Sequence, residues 1–188
     1  MLIQNPLTNK KSIRIDIDSP YAKKIFQENF LQLLCDKYFP GPIVILCIGT
    51  DRSTGDSLGP LVGERLKLLY PTANVYGNLA DPVHAANLDD VLNQIYDKFK
   101  NPFIIAVDAS LGRKENVGTI KLSDGALKPG AGVNKNLPEV GEFHVTGIVN
   151  IGGFMEYFVL QNTRLYTVMK MADIIAEGIS RGLKTFLD

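Results

Sequence analysis

Two short runs of uninterrupted apolar residues constrain this chain most: IVILCI (Ile43–Ile48) and FIIAV (Phe103–Val107). Neither alternates apolar with polar side chains, so neither suits a sheet with one wet face. Runs of this length, rich in β-branched residues, fit strands buried on both faces, and such strands need helices above and below them. The chain provides these helices. Leu58, Leu61, Val62, Leu66 and Leu69 recur at helical spacing. The expected fold class is therefore α/β, a three-layer α/β/α sandwich with a mainly parallel central sheet. Strand order is not readable from the pattern.

The remaining elements fall around this frame. Ser12–Asp18 (SIRIDID) alternates apolar and charged residues, so 1–18 reads as an N-terminal arm or edge strand. Ser19 and Pro20 read as the N-cap and first position of a helix that Pro40-Gly41-Pro42 stops. A helix is expected over Asp56–Leu69, a short strand at Asn74–Tyr76, a helix over Asn87–Phe99 and a strand within Gly118–Gly125. From His144 onward the pattern reads as helical in two pieces, Gly147–Leu160 and Arg164–Phe186. Between them and the strand before lies a Gly-, Pro- and Asn-rich loop. Loops this long inside a domain are often functional, and Pro129–Phe143 is the candidate for a mobile cover. With 188 residues and no linker or repeat, one domain over 1–188 is expected.

Several function classes are disfavoured. Acidic and basic side chains balance at 20 each, which implies no direct pull toward nucleic acid. No apolar run approaches the roughly 18 residues of a membrane span, and the N-terminus lacks a signal-peptide shape. Cys35 and Cys47 have no C-x-x-C spacing and read as buried free thiols.

Chemistry concentrates where the first apolar run breaks into CIGTDRSTGDSLGP (Cys47–Pro60). The glycines there, Gly49, Gly55 and Gly59, match neither dinucleotide nor P-loop spacing, and acids at a helix mouth repel phosphate. Asp56 or Ser57 can instead serve as a helix N-cap. The second apolar run also ends in an acid, Asp108. If the two strands are parallel and close, carboxylates at their ends meet at the edge where open α/β sheets bind ligands. Two carboxyls in a partly dry cleft share their protons unequally, giving a base and an acid. The same acids with His144 form the ligand set for a divalent metal, if one is used. His84 reads as a capping or surface residue.

Together, CIGTDRSTGDSLGPLVG, DPVHAANL, VDASLGR and FHVTGIVNIGG resemble the YyaC family of sporulation proteins, from about residue 42 to residue 182. GDSLGPLVG and VDASLG are also similar to the germination protease of spore-forming bacteria. A wider resemblance reaches the hydrogenase-maturation endopeptidases, which implies a phosphorylase/hydrolase-like fold. The resemblance assigns Asp56 and Asp108 as a catalytic pair, with His144 as third member through an H-x-x-G pattern. Thr50, Asp51, Ser53 and Thr54 then support the pair or bind substrate. The D-T-G signature of pepsin-like enzymes is absent and no propeptide is expected.

The resemblance implies a sporulation-related endopeptidase of aspartic type, acting on a protein or peptide such as the small acid-soluble spore proteins. Its expected place is the cytoplasm of the sporulating cell or the spore interior. No cofactor is expected, and homo-oligomer formation is left open. Two alternatives are a non-catalytic sporulation factor that binds a peptide or protein in the same cleft, and a metal-dependent maturation-type endopeptidase. Which acid serves as base stays open.

Overall fold

The computed structural model describes residues 12–129 and 137–187. Six strands form one sheet in the order β1-β5-β6-β4-β2-β3. They are β1 (Ser12–Asp16), β2 (Ile43–Cys47), β3 (Asn74–Tyr76), β4 (Phe103–Gly112), β5 (Thr119–Asp124) and β6 (Phe143–Ile151). Strands β3, β2, β4 and β6 run parallel, whereas β5 lies antiparallel to β6 and to β1. The sheet is thus mainly parallel, and its N-terminal strand is an edge.

Helices cover both faces. On one face α1 (Ala22–Lys37), α2 (Leu58–Leu69) and α5 (Leu165–Leu187) pack on Ile45, Cys47, Ile105, Val107, Phe143 and Val145. On the other, Leu88, Leu92 and Ile95 of α3 (Leu88–Lys98) meet Val44, Leu46, Ile104 and Ala106. Neighbouring strand residues feed opposite cores, which is why both apolar runs are continuous.

Where α1 crosses α5, the long helix carries glycines. A Cβ on Gly178 would lie 2.2 Å from the ring of Phe26, and one on Gly182 would lie 2.6 Å from that of Phe30. Both phenylalanines are fully buried. Gly178→Ala is therefore expected to lower stability by about 1–3 kcal/mol through overpacking, despite alanine's better helix propensity. A shift of the urea midpoint measures it, and an unchanged or raised midpoint would show that the interface yields freely.

Four expectations need correction. The stretch from Gly147 is not helical at its start, because Phe143–Ile151 forms β6 between β4 and β5. Val145, Thr146, Ile148 and Val149 are β-branched and suit a strand buried on both faces. Gly147 does not break it. A Cβ there would sit 2.4 Å from Leu58 and 2.9 Å from the sulfur of Met171, so the core demands its small size. Helical structure resumes only with the six-residue α4 (Glu156–Gln161).

Helix α1 begins at Ala22, after a turn in which the Ser19 hydroxyl accepts a bond from Tyr21 N–H at 3.3 Å. Strand β4 does not end at Val107 but runs on to Gly112, paired with β6. Cys47 is buried, but Cys35 is exposed on α1. The proposed cover over Pro129–Phe143 falls partly on residues 130–136, which lie outside the described residues. Among the described residues, no helix is long and apolar enough to cross a membrane.

Candidate active site

Strands β2 and β4 pair in parallel from Ile43↔Phe103 to Cys47↔Val107, so both point their carboxyl ends at the same edge. Strand β2 then stops. Ile48 bridges Val83, Gly49 N–H donates to the Val83 carbonyl at 2.7 Å, and the chain folds into a polar loop. Thr50 N–H closes that loop onto the Asp56 carbonyl at 3.1 Å. Gly55–Ser57 forms a single 3-10 turn that leads directly into α2.

This loop is held by close backbone packing. Gly49 has φ +147°, and a Cβ there would fall 2.0 Å from the Asp56 carbonyl oxygen. A Cβ on Gly59 would fall 2.0 Å from the Ile48 carbonyl oxygen. These glycines press the loop and the start of α2 onto the end of β2. They give Asp56 its position.

The expected N-cap is absent. Neither Asp56 nor Ser57 caps α2 by its side chain, and the Ser57 hydroxyl instead donates to the Thr54 carbonyl at 2.7 Å. The Asp56 carboxyl is therefore not committed to helix amides. It lines a cavity of about 450 Å³ together with Asp108, Thr50, His84, Thr146 and Glu156.

The two acids differ in environment. Burial raises the Asp108 carboxyl to about 8, against a bond from Ala109 N–H that lowers it, and the nearby charge of Asp56 raises it further. That amide donates to Asp108 Oδ1 at 2.8 Å. Asp56 is also raised by burial, and the Ser53 hydroxyl pulls it back toward ionisation. Ser53 is buried and makes no bond of ordinary geometry, so its effect on Asp56 is one of proximity. Burial thus favours the protonated form of both acids, and of Asp108 at neutral pH.

The other sequence candidates distribute unevenly. Thr50 lines the cavity, and its hydroxyl accepts from Arg52 N–H at 3.3 Å. Ser53 is buried and does not line the cavity. Asp51 is exposed and Thr54 half-buried, and neither lines the cavity.

His144 shares a sheet face with Asp108, since Ala106↔His144 and Asp108↔Thr146 are register pairs. It does not line the cavity, however, and its Nδ1 lies 2.8 Å from the Gly125 carbonyl oxygen. Antiparallel β5 turns at Gly125 beside it and takes the imidazole. Among the described residues no three His, Cys, Asp or Glu side chains gather to hold a metal ion, so Asp56, Asp108 and His144 do not form that set.

The histidine in the cavity wall is His84. It also shapes the start of α3, since its Nδ1 accepts from Ala86 N–H at 3.3 Å and its carbonyl accepts from Leu88 N–H at 3.0 Å. Capping and cavity lining coexist in one residue. The available signal was positional: PVH follows the strand Asn74–Tyr76, and Val83 returns to the end of β2.

Comparison with known proteins fits this architecture. Residues 15–178 match the family described as "Protein of unknown function (DUF1256)". The protein YyaC of Bacillus subtilis is 59% identical over 164 residues, covering 87% of this chain and 79% of that one. The germination proteases of Bacillus licheniformis and Oceanobacillus iheyensis are 30% and 31% identical over 113 residues. That match covers 52% of this chain but only 31% of either protease.

Among solved structures, the [NiFe] hydrogenase maturation protease HycI of Thermococcus kodakarensis superposes with a TM-score of 0.54 at 21% identity. The alignment covers 81% of this chain and 99% of the other. The shared fold is phosphorylase/hydrolase-like.

Proposed function

This chain belongs to the DUF1256 family, and from that premise we propose that it is a sporulation-related endopeptidase of the germination-protease type. One observation carries the reading. A carboxyl from the 3-10 turn that follows β2 and one from within β4, the parallel neighbour of β2, line one cavity, and burial raises both, Asp108 to about 8.

Asp108 keeps its proton to about pH 8, so it is the acid, and Asp56, with the smaller obstacle to ionisation, is the base. Asp56 takes a proton from a water molecule as the water oxygen bonds to the peptide carbonyl carbon. Asp108 gives its proton to the amide nitrogen as the C–N bond breaks, leaving a carboxylic acid and an amine. Because Ala109 N–H occupies Asp108 Oδ1, the proton sits on Oδ2. The nearby Ser53 hydroxyl opposes the effect of burial on Asp56.

The proposed substrates are the small acid-soluble spore proteins, and the proposed location is the cytoplasm of the sporulating cell or the spore interior. The test is incubation with these proteins, with and without a chelator. Cleavage is expected to be chelator-independent and to form a bell against pH. Its acid limb should lie above the ordinary aspartate value, where Asp56 ionises, and its alkaline limb near pH 8, where Asp108 loses its proton. Asp56→Asn should lower the rate about 10²–10⁴-fold. Cleavage that persists at the parent rate in Asp56→Asn and Asp108→Asn variants would remove the pair from the mechanism.

One observation favours a second reading. The matched segment covers less than a third of the germination proteases, so most of their length has no counterpart in it. A non-catalytic factor that holds a peptide or protein partner in the cavity fits that fact. Binding without cleavage would select it.

A further inference from the structure

Strand β4 outruns its neighbour β2. Pairing with β2 ends at Cys47↔Val107, whereas pairing with β6 continues to Gly112↔Ile151. Residues 108–112 are therefore laddered on one side only. The open side belongs to the cavity, whose wall includes Asp108, Ala109, Ser110 and Leu111. An interior strand of the sheet becomes a strand edge at the candidate active site.

The hydrogen-bond directions along β4 fix what that edge offers. The Val107 carbonyl faces β2, because it accepts from Ile48 N–H at 2.7 Å. The Gly112 carbonyl faces β6, because it accepts from Gly152 N–H at 2.8 Å. The register shift between Ser110 and Leu111 falls on β6, where Val149 is skipped, so alternation along β4 itself holds from Val107 to Gly112 and turns the backbone groups of Ala109 and Leu111 toward the open side.

Two of those four groups are already used. Ala109 N–H bonds the Asp108 carboxyl, and the Leu111 carbonyl accepts from the Ser110 hydroxyl at 3.0 Å. Beyond Val107 no strand among the described residues pairs with this side of β4, and no turn, loop or side-chain bond among them reaches the Ala109 carbonyl or Leu111 N–H. Buried or half-buried backbone groups in this state are uncommon and call for a partner.

We propose that a peptide substrate binds in extended form as an added strand on the free edge of β4, bonding the Ala109 carbonyl and Leu111 N–H. These two groups are spaced as one residue of a parallel strand uses them, its N–H donating to Ala109 and its carbonyl accepting from Leu111. The added strand continues the line of β2 past Gly49 and passes the pair at Asp56 and Asp108. Its alternate side chains meet apolar walls on both faces, Leu127 and Leu137 on one and Leu160 on the other. The substrate class is an unfolded segment with apolar side chains and without proline at the bonded residue. Affinity comes chiefly from main-chain bonds, and a helical or folded segment is excluded.

This inference rests on the peptidase reading for the word substrate, but its test separates the two. The probe is a small acid-soluble spore protein in unfolded form, added to the full chain carrying Asp56→Asn so that no turnover intervenes. Strand addition is expected to slow hydrogen exchange of the Leu111 amide at least tenfold, read by NMR. In the parent background, Leu111→Pro deletes the donor while leaving the β6 ladder, and should raise KM about tenfold more than Leu111→Ala, which deletes only the side chain.

Leu111 protection without cleavage supports strand addition and rejects the peptidase. Cleavage with no protection at Leu111, and with equal KM in the proline and alanine variants, overturns strand addition and keeps the peptidase. Absence of both binding and cleavage rejects the pair of proposals for this probe class.

Discussion

Replacing Asp108 by asparagine is expected to make the protein harder to unfold above pH 8 while ending hydrolysis. The folded carboxyl titrates near 8, against an ordinary aspartate value of 3.8. Between these limits the unfolded chain has released its proton and the folded chain has kept it. The unfolded state binds fewer protons, so stability falls as pH rises through the window. Each unit crossed costs about 1.4 kcal/mol, and solvent reaching the cavity reduces the sum to about 2–4 kcal/mol.

Asparagine resembles the protonated acid, still accepts the Ala109 amide bond through its Oδ1, and does not titrate. The variant and the parent should therefore unfold alike near pH 4 and diverge toward pH 8.5. Urea midpoints at these two pH values measure the divergence. A difference that is the same at both would mean that Asp108 carries no such cost. If the proposed peptidase activity is present, its loss follows from the same property, since asparagine has no acidic proton to deliver to a leaving amine.

Gly49→Ala should be among the most damaging single-methyl changes, costing about 3–5 kcal/mol. Two effects add. The backbone at φ +147° strains any residue with a Cβ, and the new methyl would sit 2.0 Å from the Asp56 carbonyl oxygen, against backbone that cannot rotate away. Relief requires the loop to lift from β2, which breaks the Thr50–Asp56 closure and moves the Asp56 carboxyl. Stability and cleavage should fall together, which distinguishes this change from Asp108→Asn. A protein that keeps its urea midpoint with alanine at residue 49 would show that the junction is looser than this packing implies.

Particular residues show where the sequence was readable. IVILCI and FIIAV announced their strands because burial on both faces leaves no polar position to blur the pattern. Leu58–Leu69 announced its helix by spacing. The meeting of Asp56 and Asp108 in one cavity followed from a single assumption, that the two strands are parallel neighbours. Phe143–Ile151 was misread because the stretch from Gly147 was taken into a helix reaching Leu160, and only Leu58 and Met171 across the core reveal why glycine stands within a strand there.

The histidines were misjudged for a related reason. Which of them reaches the cavity depends on the return of Val83 to β2 and the turn of β5 at Gly125, both long-range events that local pattern does not encode. The expected N-cap failed for a local reason: a 3-10 turn precedes α2, so Ser57 bonds backward to Thr54.

The late position of β6 in the chain has a consequence for synthesis. Strand β6 joins two otherwise separate parts of the sheet, the β1–β5 pair on one side and the β4–β2–β3 group on the other. Until residues 143–151 leave the ribosome, β5 and β4 each present an unpaired edge, and α5, which packs on α1 and α2 in the larger core, does not yet exist. Between the emergence of β5 at residue 124 and that of β6 at residue 143, the growing chain carries two incomplete half-sheets. Closure is a single late event, the insertion of one strand between two waiting edges, and nascent chains stalled before residue 143 are the aggregation-prone species to look for.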